Sequence, residues 1–453
     1  MSIIIPRKFS TKKSISMSYV TDIFRGMHLS LINLYIATFV MRFAAYTTIG
    51  LISYMLPYFE RSFVIMFYSV SEIITVSYFG VRADTKGRKP VLIIAHLLTT
   101  LGIALFMILG AIQGKVETTD LIVILLVFFP LMGILGAGAA SKVASTLTMI
   151  ADESNIENRA QYMGFFDLAT LGGFGAGLAA GHILGQSSVN LEVSFFISLV
   201  LVTISVVMVY FFVNETIDFS SAGDQEKQSS SGVLTRVLTV VKSNKDLQKI
   251  LPVYIPIISL YGLIVAFAKE LVDTQLETIS FELVFVGGLI ALTAGSSMLI
   301  TGKMSDRSLI RRPFIIIGLI CLAILIILLK YYESIEIPVF EGLYSIWPVV
   351  AILSFGFGSF PPAILAYLTD ISKKDTRGTM FGVYSVIFGT GMIIGPFLGV
   401  AFTEFGILIG AEIWGIVLAV IFLVVIAIIG TVFLSERAQE DEAISSDNSL
   451  TND

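Results

Sequence analysis

Apolar residues run along this chain in blocks of about twenty or more, separated by short polar stretches, and twelve such blocks stand out. They are Leu31 to Pro57, Ser62 to Gly80, Pro90 to Ile112, Leu121 to Ile150, Tyr162 to Leu184, Leu191 to Val213, Ile250 to Val272, Glu282 to Gly302, Pro313 to Tyr332, Ile346 to Thr369, Thr379 to Glu404, and Leu408 to Leu434. A helix needs about 20 residues to cross a hydrocarbon core of roughly 30 Å. In lipid the backbone must satisfy its own hydrogen bonds, which a helix does segment by segment. A β-barrel would show alternating segments of about ten residues. The pattern predicts an all-α polytopic membrane protein with twelve transmembrane helices.

The polar stretches organise these blocks. Between Val213 and Ile250 the chain turns polar, with Ser220, Ser221, Ser229, Ser230, Ser231 and scattered charges, and reads as a linker that divides the spans six and six. The expected parts are a tail over 1–30, a six-helix bundle over 31–213, a linker over 214–249, a second bundle over 250–434 and an acidic tail over 435–453. With the N-terminus inside, 23 of the 29 Lys and Arg residues fall in inner segments and only Arg61 and Lys115 in outer loops. Positive loops stay on the cytoplasmic side, so both termini are expected there.

The two sets of six repeat. A shift of 218 residues (370 − 152) brings Asp152 onto Asp370, Arg159 onto Arg377, Gly164 onto Gly382, Gly173 onto Gly391, Gly177 onto Gly395 and Gly181 onto Gly399. Shared hydrophobicity does not account for glycines and charges at one offset. Such repeats build two pseudo-symmetric bundles around a central site near the bilayer midplane. Glycines four residues apart lie on one helix face and let another backbone approach closely; Pro396 follows Gly395 on the second such face.

Composition agrees: 55% of residues are hydrophobic and 14% charged, against about a quarter charged in soluble domains. The net charge of −5 owes much to the acidic tail and suggests no nucleic-acid partner. A single cysteine, Cys321, excludes an intramolecular disulfide, and three scattered histidines make no metal motif. No nucleophile–base set or phosphate loop is visible, so neither an enzyme nor a cofactor is expected. A sensor on the same scaffold would carry a large effector domain, for which the tails and central loop are too short.

After the second span comes Gly80-Val81-Arg82-Ala83-Asp84-Thr85-Lys86-Gly87-Arg88-Lys89-Pro90. This resembles the loop motif of the major facilitator superfamily, G-x-x-x-D-x-x-G-R-K/R, at every defined position, and a weaker copy follows the eighth span: Gly302, Asp306, Arg311 and Arg312. The resemblance covers nearly the whole chain and implies a monomeric carrier working by alternating access. It further implies that Asp84 faces the start of the eleventh helix and that Arg88 pairs with Asp152. The repeat suggests Asp306 against the fifth helix and Arg311 or Arg312 with Asp370. These contacts would hold the cytoplasmic side shut in one state. Two departures stand out: Phe129 replaces the family's fourth-helix Arg, and in the fifth helix Leu178 and His182 replace a Pro and a Gly of the drug-exporter pattern. Asn214-Glu215-Thr216 is only a fragment of a sugar-porter signature.

Charged residues inside a span cost about 2.5–3.5 kcal/mol on insertion scales and are functional candidates by default. Arg42 lies 11 residues into the first span, a depth of ~16 Å at 1.5 Å per residue. Lys142, ten residues before Asp152, is at a similar depth, and Glu72 and Asp167 lie nearer the cytoplasm. The cations would bind an anionic group of the substrate, or a carboxylate would exchange a proton as its cation partner is taken. The alternative is a static ion cluster that fixes helix packing. His96 reads as a packing residue. The expectation is a multi-pass carrier in the cell membrane, driven by a proton gradient or by exchange, moving a small solute with a lean towards an organic anion. A multidrug or sugar carrier of the same superfamily, or a non-transporting sensor on the same fold, is the other reading.

Overall fold

The computed structural model describes residues 27–112, 120–154, 159–187, 189–216, 242, 245–272, 281–308, 310–331, 346–370, 377–410 and 414–434, and helices occupy every apolar block. The first half holds α1 (Leu29–Ile52), α2 (Tyr58–Lys86), α3 (Arg88–Ile112), α4 (Leu121–Glu153), α5 (Arg159–Gln186) and α6 (Leu191–Phe212). The second holds α7 (Lys245–Val272), α8 (Phe281–Ser308), α9 (Arg312–Tyr331), α10 (Trp347–Phe357 continued by Phe360–Asp370), α11 (Arg377–Leu408) and α12 (Gly415–Val432). Among the described residues, nine helices are long and apolar enough to cross a membrane, and Arg312–Leu328 is apolar but shorter. Within its 29 residues α2 carries Glu60, Arg61 and Glu72 and a charged end from Arg82 to Lys86.

The helices are apolar on both faces, as lipid requires. In α6 the buried stripe is Ser194, Phe195, Ser198, Val202, Ser205 and Val209, while Phe196, Val200, Ile204, Val207 and Phe211 point outward. The small polar residues therefore face protein and the large apolar ones face lipid, the reverse of a soluble surface helix. Some buried hydroxyls are satisfied within their own helix: Thr47, Thr48 and Ser145 donate to the carbonyls of Phe43, Ala44 and Ser141 at 2.8, 3.0 and 2.6 Å.

Packing repeats between the halves. In the first, α1 lies on α5 and α6, α2 on α4, and α3 on α4 and α6; in the second, α7 lies on α11 and α12, and α8 on α10. Across the two, α2 meets α11 and α5 meets α8, the same pair of relations taken from either side. The glycine faces make the intrahalf contacts. A Cβ on Gly173 would lie 2.7 Å from the Phe39 carbonyl oxygen and 2.8 Å from Arg42 Cβ. Gly177 and Gly181 meet the Phe43 and Thr47 carbonyls of α1 in the same way. On the other side Gly391 faces Ile258, Gly395 the Ser259 carbonyl and Gly399 the Phe267 ring, all of α7. Each glycine is thus a place where any side chain would push two helices apart. Gly382, which the repeat pairs with Gly164, has its surroundings outside the described residues.

Three helices are irregular. In α4, a π turn over Ile124–Phe128 precedes Pro130, which has no N–H to donate. In α7, Phe267 leaves helical geometry (φ −110°, ψ 16°), and Pro252 and Pro256 interrupt the ladder below it. The break in α10 at Gly358 and Ser359 is secured by Ser359, whose hydroxyl donates to the Phe314 carbonyl of α9 at 2.8 Å. The stretch read as a loop after the second span is mostly helix: α2 continues through Lys86 and α3 starts at Arg88, with only Gly87 between. Gly87 has φ 103°, a backbone strained for any residue with a Cβ, so it is the turn. Among the described residues, a Cβ on Gly80 would meet nothing within 4 Å.

Candidate substrate and coupling site

Two groups of polar residues need explaining, one at mid-membrane and one at the helix ends. The four charges expected inside the membrane come together. Arg42 on α1, Glu72 on α2, Lys142 on α4 and Asp167 on α5 are all buried, at 3%, 0%, 0% and 5% exposure. Lys142 is the hub: it lies within electrostatic reach of Arg42, Glu72 and Asp167, and Glu72 in turn of Arg42. Glycines set this meeting up. Gly173 lets the backbone carrying Arg42 close on α5, and Gly136 lets α4 press against the Tyr68 carbonyl of α2, one turn from Glu72.

The contacts inside the cluster are lean. Arg42 donates to the Tyr68 hydroxyl at 3.2 Å and lies 5.7 Å from the centre of the Tyr46 ring. Lys142 Nζ sits 5.1 Å from the centre of Phe166 and has no hydrogen-bond acceptor. Neither carboxylate oxygen of Glu72 has a donor, and Asp167 Oδ2 has none. Ring faces attract cations, but an ammonium and a carboxylate with unmade hydrogen bonds are costly in a low-dielectric interior. Lys142, Glu72 and Asp167 share that state with buried hydroxyls elsewhere in the helices, among them Thr38, Ser69, Ser141 and Ser354. His96 on α3, fully buried, bonds the Leu92 carbonyl through Nδ1 at 2.8 Å and reads as packing.

At the helix ends, Arg88 forms the ion pair with Asp152 that the motif predicts. Arg88 also donates to the Thr148 carbonyl at 3.2 Å and the Thr216 hydroxyl at 3.1 Å. Glu215 accepts the backbone N–H groups of Arg88 and Lys89 at 3.1 and 3.0 Å, placing a carboxylate on the positive end of α3. The Lys89 ammonium reaches the Tyr210 ring at 6.0 Å. Glu215 and Thr216, part of a mere fragment by sequence, therefore join the contacts around Arg88. These partners come from the first half and the stretch just after it, so the Arg88–Asp152 pair ties α3 to α4, and Glu215 and Thr216 add the chain that follows α6. The side chains of Asp84, Arg159, Asp306, Asp370 and Arg377, and with them the expected link from Asp84 to α11 and the second-half pair, lie outside the described residues. Arg311 is buried and donates to the Ser305 hydroxyl at 2.7 Å, and Arg312 opens α9.

The opposite end carries contacts between the halves that the sequence did not announce. Arg61, read as an outer-loop charge, is 1% exposed in the first turn of α2 and donates through Nε to the Ala266 carbonyl of α7 at 2.9 Å. That carbonyl sits just before the non-helical Phe267. Tyr58 donates to Glu404 of α11 at 2.7 Å, and its ring centre lies 6.1 Å from that of Phe267. A basic residue four positions past Pro57 was the only clue, and a short loop made it look solvated.

A polytopic helix set in two repeating halves is an architecture that secondary carriers use. The comparisons give it a family. The Major Facilitator Superfamily profile matches residues 34–335 and 253–449, and the chain belongs to that family. It is an integral, multi-pass membrane transporter and not an enzyme; members carry small molecules, often with protons. Similar sequences include "Multidrug resistance protein 2" of Bacillus subtilis (strain 168), 23% identical over 79% of this chain and 85% of that one. "Tetracycline resistance protein, class E" of Escherichia coli is 26% identical over 77% of this chain and 82% of that one. Among solved structures, the human organic anion transporter MFSD10 (TETRAN) matches with TM-score 0.61 and 15% identity, covering 88% of this chain and 99% of that one. The proton:xylose symporter XylE bound to 6-bromo-6-deoxy-D-glucose matches with TM-score 0.63 and 12% identity, covering 90% and 96%. At these identities the solved structures speak for the fold alone.

Proposed function

We propose that this chain is a proton-linked secondary carrier for a small organic anion, with the first half binding both the anion and the proton. The observation behind this reading is the buried pair of Lys142 and Glu72, neighbours in charge with unmade hydrogen bonds on both sides. When an anionic group takes Lys142 and Arg42, Glu72 loses its compensating cations and holds a proton more tightly; when the anion leaves, the proton is released. That linkage couples the two fluxes without any direct contact between them. Asp167, beside Lys142 on α5, is the second carboxylate available to this exchange.

Alternating access then needs one latch on each side. At one end Arg61 and Tyr58 hold α2 to α7 and α11; at the other Arg88, Asp152 and Glu215 brace α3, to which the expected contact of Asp84 with α11 would add the link between halves. The bundles over 31–213 and 250–434 rock as units, the chain acts as a monomer in the cell membrane, and both termini are cytoplasmic.

The test is uptake into proteoliposomes with and without an imposed pH gradient, for the native chain and for Glu72→Gln. Gradient-driven accumulation should disappear in Glu72→Gln while exchange of substrate across the membrane continues. Accumulation that ignores the gradient in the native chain would remove proton coupling. A second reading, export of a drug-like molecule, is favoured by the names of the two sequence relatives; gradient-dependent tetracycline extrusion by the same vesicles would select it.

A further inference from the structure

Aromatic rings form a continuous path from the charged cluster into the second half. It begins at Arg42, whose guanidinium carbon is 5.7 Å from the Tyr46 ring centre. Tyr46 meets Phe174 of α5 edge-on at 4.6 Å, Phe174 meets Tyr261 of α7 at 6.1 Å, Tyr261 stacks on Phe360 of α10 at 6.4 Å, and Phe360 meets Phe357 at 5.6 Å. The step from Phe174 to Tyr261 crosses from one half to the other. The internal repeat sharpens this. At the offset of 218 Lys142 corresponds to Phe360 (360 − 142). Where Gly173 receives Arg42, its repeat partner Gly391 receives Ile258. The places that hold two cations in the first half thus hold a ring and an aliphatic chain in the second.

From this juxtaposition we propose that the substrate is an aromatic acid. Its anionic group takes Arg42 and Lys142, and its planar ring enters between Phe174 and Tyr261, replacing the ring contact that now bridges the halves. Lys142 Nζ, fully buried without an acceptor beside the path, is the atom waiting for the acid. Ring-to-ring contact favours edge and offset geometries that a saturated ring of the same size cannot reproduce. The bridge also gives the substrate a way to act on conformation, since it must part Phe174 from Tyr261 to bind. The assignment rests on the anion reading above and adds the ring.

The experiment measures thermal protection of the purified full chain in nanodiscs by four probes: benzoate, cyclohexanecarboxylate, acetate and benzylamine. Benzoate should protect at a concentration about tenfold lower than cyclohexanecarboxylate, acetate only weakly, and benzylamine not at all. Tyr261→Leu should erase the difference between the two ring acids while keeping protection by both; Lys142→Gln should erase protection by all acids. Phe174→Leu serves as the independent variant if Tyr261→Leu does not fold, with the same expectation. Equal protection by benzoate and cyclohexanecarboxylate, or a preference that survives removal of either ring, overturns the ring assignment and leaves the anion reading standing. Protection by benzylamine alone, or by no probe, overturns both.

Discussion

The two halves share a packing scheme and differ in what it encloses. On α5, Gly173 and Gly177 admit the backbone of α1; on α11, Gly391 and Gly395 admit that of α7. The first pair brings Arg42 towards Lys142, Glu72 and Asp167. The second brings Ile258 and Ser259 to a region whose described buried polar side chains in α7 to α12, apart from Arg311 at the base of α9, are the hydroxyls of Ser259, Ser297, Thr301, Ser305, Ser354, Ser359 and Thr431. Helix contact is therefore a property of the repeat, while among the described residues the mid-membrane charges lie in one copy.

Neutralising the charged copy should give the largest effect. Lys142→Gln or Arg42→Gln leaves a buried carboxylate without its cation, a loss of about 3–5 kcal/mol. Transport should fall by on the order of 100-fold or more at about 1.4 kcal/mol per tenfold, with folded protein still in the membrane by size exclusion. Ser354→Ala in the other half should change uptake by no more than about threefold, since its buried hydroxyl has no hydrogen-bond partner to lose. Full activity in both cation variants would dissolve the contrast between the halves.

The shared scheme can be broken on either side with equal result. Gly177→Ala and Gly395→Ala each drive a methyl into a carbonyl of the facing helix, and each should cost about 1–3 kcal/mol of stability, read as a lower unfolding midpoint in detergent. A strong effect in one half alone would mean that the repeat does not pack alike.

The end contacts should matter less and in opposite senses. Arg61→Leu removes the bond to the Ala266 carbonyl between the halves and should raise labelling of single cysteines placed near Tyr58, at a cost in stability of roughly 1–3 kcal/mol for the carbonyl left behind. Asp152→Asn breaks a pair that is partly exposed, so its effect on stability should stay near 1 kcal/mol or below. Uptake should slow by a few-fold with an unchanged half-saturating substrate concentration.

Much of this was legible in the order of residues. Lipid imposes a length and a hydropathy on every span, so the helix blocks could be read from the chain, and duplication left a glycine register that survives in sequence. The Arg88–Asp152 pair was readable because the family resemblance supplies both members, an arginine in the loop motif and a carboxylate at the end of α4. Glu215, Tyr58 and Arg61 were not, because their partners lie 126 or more positions away for Glu215 and on another half for the other two. Nothing local marks a carboxylate that will meet a distant helix N-terminus, or an arginine that will be buried against a carbonyl exposed by a kink.

The chain alone determined that there would be membrane-crossing helices in two related sets, and that Arg42, Glu72, Lys142 and Asp167 would have to be accommodated inside them. Only the tertiary structure decided that the four meet, that Lys142 stands at their centre with an unfilled hydrogen bond, and that a row of rings leads from them into the other half. Hydropathy is a property each residue carries wherever it goes. Which charge finds which partner depends on how closely two helix backbones approach, and that distance exists only once the glycine faces have docked.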